Sequence, residues 1–332
     1  MIPGSFLKLD RRRWRSLAAL LPLLLLPQLA VAAEAPFLWR VERDGAAHAL
    51  IGSVHLLPQD AYPLPAAVQR AFAAAQRVTF ETDVDSLQDP AWQSRFAAGA
   101  GASQPLAQRV GPALDAGVRR QLRALSLPLS LCDALQAWAC AVNLEIGAME
   151  RSGARADQGL DVQLWAQARS AHKAVDWFES PDQQIALFTR LPAATATQLL
   201  ASTVDELQSD DAQPAALAES WRRNDDALLA TQVANMQARF PLLYARLIGE
   251  RNRAWADALA GDHSPVPRFV VVGAAHLVGE AGLPALLRAR GFKVSRVRCG
   301  AGDGDRTARD AWCDSPSAPA PSAAPRTMPP AN

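Results

Sequence analysis

The sequence has no excess of charge of either sign and few aromatic side chains. Its 332 residues contain 34 Lys and Arg against 33 Asp and Glu, and Phe, Trp and Tyr together make up 6%. The balanced charge removes any strong electrostatic case for nucleic-acid binding. With 20% charged and 49% apolar residues, the chain is typical of neither a disordered protein nor a coiled coil. It can bury the core of one large domain or of two modest ones.

Signature motifs of several enzyme classes are also missing. There is no G-x-S-x-G nucleophile elbow, and Ser53 directly follows Gly52, which argues against a serine hydrolase. Phosphate-loop and dinucleotide-binding signatures are absent. None of the four cysteines belongs to a C-x-x-C pair, so neither a zinc knuckle nor a dithiol redox motif is indicated.

The apolar run near the N-terminus, residues 17–26, is too short for a comfortable membrane span and contains Pro22. Five basic residues precede this run, and the small residues 30–33 follow it, as in a secretory signal with its cleavage site. We therefore predict a signal peptide over residues 1–33, with an uncleaved signal anchor as the alternative. No cysteine lies near the cleavage site, so a lipid anchor is not expected.

Cleavage of that segment changes the charge of the protein. The remaining chain has 29 basic and 32 acidic residues, a formal charge of −3. We expect a mildly acidic periplasmic or secreted protein without a stable membrane span after cleavage. Its partners would be a peptide or another small envelope substrate rather than nucleic acid, and its oligomeric state stays open.

Export also decides how the cysteines are interpreted. In an oxidising compartment an even number of cysteines favours disulfides. Of three pairings, we favour Cys132 with Cys140 and Cys299 with Cys313. One continuous helix over residues 132–140 would hold the first two sulfurs about two turns apart, too far to bond. The pairing therefore predicts a break in the helix between them.

The distribution of apolar residues predicts an α/β fold. A strand, a helix over 64–77 and another strand form a β-α-β unit, which implies parallel pairing of the second and third strands. A helix over 283–290, closed by Gly291, precedes the last strand. The predicted strands cover residues 37–41, 49–54, 78–82, 268–273 and 293–297.

The domain prediction follows from these elements. We expect one domain over residues 34–300 with a central, mostly parallel sheet and a large helical insertion over about 106–261. The C-terminal segment, residues 301–332, is rich in Pro, Ala and Ser from about residue 315 and is predicted to be disordered there.

Two predicted strands end in the same motif. Gly52-Ser53-Val54-His55 resembles Gly273-Ala274-Ala275-His276, and a third strand carries Glu81 near its end. Ligands of parallel sheets collect beyond the carboxyl ends of strands, and glycine allows a ligand to approach the backbone closely. Two imidazoles and a carboxylate can bind Zn, Mn, Co or Fe(II) with positions left open for water. The alternative is that each histidine has a structural role, which the repeated motif makes less attractive.

Together with these motifs, further segments resemble the TraB/PrgY/GumN family over about residues 37–297. The absence of a C-terminal membrane segment is similar to the GumN branch. The resemblance implies an α/β core of two related halves with a helical insertion. The matching segments are 52–55, 81, 159–161, 178–184, 250–255 and 273–276.

The resemblance also implies kinship with the Tiki metal-dependent proteases and, more distantly, with erythromycin-esterase and ChaN-like proteins. His55 and His276 would be metal ligands or catalytic imidazoles, and Glu81 the third ligand or the general base. The chain lacks the membrane tether of the Tiki proteins, so their membrane-linked substrates are not implied.

Four further positions complete the resemblance. Gly52 and Gly273 would let the backbone approach the bound group. Arg251 would reach the same cleft from the helical region. Next to it, Asn252 would do the same.

These features predict a metal-dependent exported hydrolase, specifically a peptidase, with Mn, Co or Zn activating water. Glu81 would accept the proton of that water. Arg251 would stabilise an oxyanion or hold a substrate carboxylate, with a surface ion pair as its structural alternative, and Asn252 would donate a hydrogen bond. Glu179 and Gln184 are weaker candidates beside a helix start at 180–181.

Two other functions remain open from sequence. The first is a binding protein for haem or for a polysaccharide fragment, because paired histidines can also serve haem. Carbohydrate binding would require exposed aromatic platforms, whereas the tryptophans look mostly structural. The second is a metal-independent, esterase-like hydrolase that uses the same His and Glu side chains.

Overall fold

A computed structural model describes residues 37–208, 219–299 and 311–313. The predicted signal peptide and the predicted disordered tail from residue 315 lie outside these residues. No helix within the described residues has the length and apolar character needed to cross a membrane.

Six strands form one mixed sheet, in the order β4-β3-β5-β2-β1-β6. Four neighbouring strands, β4, β3, β5 and β2, run parallel, while β1 pairs antiparallel with both β2 and β6. The prediction of a mostly parallel α/β sheet is therefore confirmed. The strands are β1 Leu38–Arg43, β2 Ala46–Ser53, β3 Arg77–Thr82, β4 Ala174–Glu179, β5 Arg268–Gly273 and β6 Lys293–Arg296.

The predicted direct pairing of the second and third strands is wrong. β2 and β3 are parallel, but β5 lies between them, so that Leu50 faces Val270 and Val78 faces Phe269. Four consecutive residues of β5, Phe269 to Val272, are at most 3% exposed. A strand that is apolar on both faces gains most from the centre of a sheet, and this favours the insertion.

Strand β4 lies in the region predicted to be nearly all helical. Its sequence, Ala-Val-Asp-Trp-Phe-Glu, is only six residues long and partly exposed, because β4 forms one edge of the sheet. A short edge strand lacks the buried apolar run on which the prediction relied. The helical insertion over 106–261 is thus interrupted by a strand that completes the sheet.

The helices surround the sheet and fill the insertion. A π-helical turn, Ala245–Gly249, joins α10 to α11, and a 3₁₀ turn, Ala274–Leu277, follows β5. The described helices are α1 Ala66–Ala74, α2 Pro90–Ala100, α3 Leu106–Val110, α4 Pro112–Ala124, α5 Ala137–Arg151, α6 Leu160–Ser170, α7 Pro181–Thr189, α8 Ala193–Glu206, α9 Ala227–Arg239, α10 Pro241–Tyr244, α11 Glu250–Gly261 and α12 Leu283–Ala289.

Aromatic contacts place helices on both faces of the sheet. Trp165 of α6 packs against Phe80 of β3, with ring centroids 5.0 Å apart. Phe80 aligns with Trp177 of β4, so the next residue, Phe178, points to the opposite face. Phe178 stacks on Trp255 of α11 at 5.2 Å. The sheet is therefore covered by α6 on one side and by α11 on the other.

The insertion has a hydrophobic core of its own. Leu122 of α4, Leu144 of α5 and Leu200 of α8 are fully buried in it. Cys132 bonds to Cys140, and α5 begins only at Ala137, so the predicted break between these cysteines is present. The disulfide ties the preceding turn to the first turns of α5.

The second disulfide joins Cys299 to Cys313. Trp312, beside it, is 8% exposed and packs into the core around the sheet. Both predicted pairings are thus formed, and disulfides are compatible with an exported protein.

Candidate active site

Polar side chains meet at the carboxyl ends of the four parallel strands. His55 follows β2, and His276 follows β5. Glu81 is the second-to-last residue of β3, and Glu179 is the last residue of β4. Because these strands are neighbours in the sheet, their ends lie at one edge. The structure therefore places three predicted residues and the weaker candidate Glu179 at the same edge.

Arg251 is at the centre of this cluster, and its side chain is 11% exposed. Its guanidinium donates to Glu81 Oε2 at 2.6 Å and to both carboxylate oxygens of Glu179 at 2.8 and 3.1 Å. It also donates to the carbonyl of Leu247 and to Nε2 of His276, each at 3.0 Å. These contacts use the five N–H groups of the side chain. Arg251 therefore neutralises buried carboxylates, which differs from its predicted role toward a substrate.

Glu81 is held as a carboxylate. Its Oε1 accepts the backbone N–H of Gly273 at 2.6 Å, opposite the contact of Oε2 with Arg251. Burial by itself would raise the pKa of Glu81, but the cation of Arg251, the ring of His276 once it is protonated, the cation of His55 and the Gly273 hydrogen bond lower it to about 2. The side chain of Glu81 is 17% exposed.

His276 is buried and neutral. Its Nδ1 lies 2.6 Å from Oδ1 of Asn252, and the amide of Asn252 donates to the carbonyls of His276 and Ala281. The Asn252 oxygen must therefore accept, so His276 carries its proton on Nδ1, and Nε2 accepts from Arg251. Burial, aided by the cation of Arg251, lowers the pKa of His276 to about 3 against the opposing charge of Glu81. Asn252 positions this imidazole and is itself fully buried.

His55 differs from His276 in its exposure and in its protonation state. Its side chain is 67% exposed, and its Nδ1 lies 2.8 Å from Oδ2 of Asp161 on α6. The charge of Asp161 and this hydrogen bond raise the pKa of His55 to about 9. The imidazole is therefore protonated at neutral pH, and its Nε2–H can donate to a bound group.

Gly159 fixes the approach of α6 to this histidine. A Cβ at Gly159 would lie 2.3 Å from the backbone carbonyl oxygen of His55, a separation that no side chain allows. Leu160, the next residue, donates its N–H to the carbonyl of Val54. Close backbone contact between the two segments brings Asp161 to His55. Oδ1 of Asp161 is buried and has no hydrogen-bond partner among the described residues.

The two motif glycines contact the chain itself. A Cβ at Gly52 would lie 3.0 Å from both Ala274 and Phe37, and the Gly52 carbonyl accepts from the indole of Trp221 at 2.7 Å. A Cβ at Gly273 would lie 3.3 Å from Glu81 Oε1. Gly52 thus allows close packing at β2, and Gly273 allows the close approach of Glu81. A cofactor-binding role for either glycine stays a prediction.

The predicted metal ligands can be compared with this geometry. Within residues 37–208, 219–299 and 311–313, no three His, Cys, Asp or Glu side chains lie close enough together to hold a metal ion. The Nε2 lone pair of His276 and one oxygen of Glu81 are both bonded to the cationic Arg251. A divalent cation there would be repelled by that guanidinium. The residues as arranged do not fit a metal, and the predicted metal site remains untested.

The sequence motifs do not assign a role to Asp161 or Trp255. Both lie in segments that match the family, yet spacing cannot show that Asp161 would meet His55 across 106 positions. Trp255 donates its indole N–H to Glu179 at 3.0 Å, and its ring lies 4.5 Å from that of His276. A carboxylate two residues after a helix-starting glycine, as in Asp161, is a weak signal, because acidic residues often lie in the first turn of helices.

The loss of stability at acid pH should reflect the titration of His276. Its folded pKa is lowered from 6.5 to about 3, so its stabilisation is complete above pH 6.5 and is lost as the pH falls toward 3. We expect His276 alone to lower the free energy of unfolding by about 1.4 kcal/mol for each pH unit in that window. Glu145, whose pKa is raised from 4.5 to about 7, acts in the opposite direction between pH 7 and 4.5, so it is replaced by glutamine in the test. Below pH 4.5 Glu81 adds to the loss, since its pKa is lowered from 4.5 to about 2.

Urea denaturation of the E145Q chain between pH 6.5 and 4.5 measures this slope. E145Q/H172Q is the control, because His172 is exposed and precedes the amino end of β4, at the opposite end of that strand from Glu179. It should keep the slope of E145Q. Equal stability of E145Q at pH 6.5 and pH 4.5 would show that His276 is not held neutral.

Comparison with known proteins gives one family. The profile of the TraB/PrgY/gumN family matches residues 37–296. The chain is 29% identical over 244 residues to "Uncharacterized protein YbaP" of Escherichia coli (strain K12), covering 72% of this chain and 87% of the relative. The protein of the same name from Shigella flexneri gives the same values. No solved structure matches the chain.

Proposed function

The chain belongs to the TraB/PrgY/gumN family, and we propose that its cleft hydrolyses a carbonyl-centred bond, either an ester or a peptide amide. One observation carries the proposal. An exposed, protonated imidazole, His55, is oriented by the carboxylate of Asp161 at the same sheet edge as the ionised Glu81. An acid and a base of opposite charge beside each other are what hydrolysis of such a bond requires.

The two groups divide the proton transfers. Glu81 accepts a proton from water while the water oxygen attacks the carbonyl carbon. The imidazolium of His55 stabilises the oxyanion that forms and then gives its Nε2 proton to the leaving oxygen or nitrogen as the carbon–heteroatom bond breaks. Transfer of the proton from Glu81 back to His55 through solvent restores both groups. Arg251 keeps Glu81 ionised until the water is activated, His276 accepts a hydrogen bond from Arg251, and neither side chain needs to touch the substrate.

The proposed reaction does not require an added metal ion. The arrangement around Arg251 supports a reaction that proceeds without added metal. The metal-dependent peptidase predicted from sequence would require Arg251 to release His276 and Glu81, which would then be metal ligands with His55. For haem, the buried His276 with both ring nitrogens engaged offers no free ligand in this arrangement.

The experiment is hydrolysis of p-nitrophenyl esters and fluorogenic peptides by the purified, disulfide-bonded chain. We expect turnover in the presence of EDTA and a loss of about 10²- to 10⁴-fold in kcat for H55A. H172A is the matched control, since it removes an exposed imidazole elsewhere and should turn over normally.

Full activity of H55A would overturn the proposal. Activity that is abolished by EDTA and restored by Mn, Co or Zn would assign the reaction to the metal-dependent route instead. Because the assay uses esters and amides side by side, it also decides which bond the cleft prefers.

A further inference from the structure

A cavity of about 270 Å³ lies in the helical insertion, bounded by α5, α8, α9 and α10. Most of its wall is apolar. Representative apolar lining residues are Met149, Leu199, Leu229, Val233, Phe240 and Leu243. An apolar cavity of this size with a few convergent polar groups is typical of a small-molecule site.

Among its polar groups the wall carries two carboxylates and one cation. Glu145 of α5 accepts a hydrogen bond from the hydroxyl of Thr203 at 2.9 Å, and Glu206 accepts one from Ser202 at 2.8 Å. Within the described residues, no Lys or Arg forms an ion pair with Glu145. The cation that lines the cavity, Arg239, lies 3.9 Å from Asp205 instead.

The surroundings of Glu145 are unfavourable for its charge. Burial by surrounding protein raises its pKa to about 7, reinforced by the charge of Glu206 and opposed by the Thr203 hydrogen bond. Its side chain is nevertheless exposed, because it faces the cavity rather than packed protein. A carboxylate that faces an apolar cavity without a cation is complementary to a cationic ligand group.

The cavity also touches the candidate active site. Ala275 lines it, and Ala275 directly precedes His276 in the 3₁₀ turn after β5. A ligand in the cavity would therefore lie against the turn that carries the buried imidazole of the site.

We propose that this cavity binds an apolar group carrying a protonated amine, with the amine paired to Glu145. If the substrate carries such a group next to the reacting bond, the cavity would give the hydrolase its specificity. This role in specificity, unlike the binding, rests on the proposed function. The binding itself depends only on the shape and charge of the cavity.

Calorimetric titration with octylamine, octanol and octanoate at pH 8 tests the proposal, since Glu145 is largely ionised there. We expect octylamine to bind at least about tenfold more tightly than either of the other two. The E145Q variant should lose this tenfold preference, and E150Q, an exposed position on the same helix outside the cavity, should keep it. Circular dichroism checks that each variant is folded.

Failure to bind octylamine, equal binding of the three compounds, or an unchanged preference in folded E145Q would each overturn the proposal. The H55A variant separates it from the proposed function. Octylamine binding that persists in H55A while hydrolysis is lost supports both. Octylamine binding by a chain without any hydrolytic activity leaves the cavity proposal standing and removes the proposed reaction.

Discussion

Replacement of Arg251 by alanine should lower the free energy of unfolding by about 3–5 kcal/mol. Glu81 and Glu179 are 17% and 11% exposed, and the guanidinium is the cation that pairs with both. Without it, two carboxylates would repel each other in a poorly hydrated site, and Nε2 of His276 would lose its donor. Lysine should not restore the loss, because an ammonium cannot donate in the planar pattern that reaches both carboxylates.

Urea denaturation at pH 7 measures the effect of R251A. R253A is the matched control, since Arg253 lies on the same helix but is exposed, and its loss should stay within about 0.5 kcal/mol. In the double variant R251A/E81Q one unpaired charge is removed, so part of the stability should return. A loss below about 1 kcal/mol in R251A would mean that the carboxylates are stabilised by other groups.

Replacement of Asp161 by asparagine should reduce kcat by about 10²- to 10⁴-fold while the fold is retained. Asparagine nearly preserves the shape of the side chain but removes the charge that raises the pKa of His55 to about 9. The pKa of His55 should then fall toward 6.5, the imidazole would be mostly neutral at pH 8, and the acid of the proposed reaction would be lost. Activity should therefore shift to lower pH as well as decrease.

Two measurements on D161N check this reasoning. The pH profile of kcat/KM should lose its limb near pH 9, and the ring resonances of His55 in the NMR spectrum should titrate at lower pH. The control is D157N, because Asp157 lies four positions away and pairs with the exposed Arg155 rather than with a histidine. A His55 pKa that stays near 9 in D161N would contradict the assigned pairing.

The main features of the sheet could be predicted from sequence because the information is local. The apolar runs of β2, β3 and β5, and the glycines after two of them, identify strands and their carboxyl ends. The order of those strands is not local. Insertion of β5 between β2 and β3 depends on how well its two apolar faces are covered by helices that lie far away in the sequence.

The site shows the same division. Sequence motifs identified His55, Glu81 and His276, and also Arg251 and Asn252. They could not show that Arg251 donates to His276 and two carboxylates, or that the two histidines have opposite protonation states. Those states depend on burial and on the partner across the cleft, and only the folded chain defines either.

The π-helical turn Ala245–Gly249 fixes the number of residues between α10 and α11, beside the site. A turn of this kind holds about one residue more than an α-helical turn, and each residue of an α-helix rotates the next by about 100°. The face of α11 that carries Arg251, Asn252 and Trp255 is therefore directed at the strand ends by that additional residue. Loss of a single residue here would turn all three side chains away from the sheet together. We therefore expect deletion of one residue from this turn to disrupt the site more than substitution at its partly exposed positions.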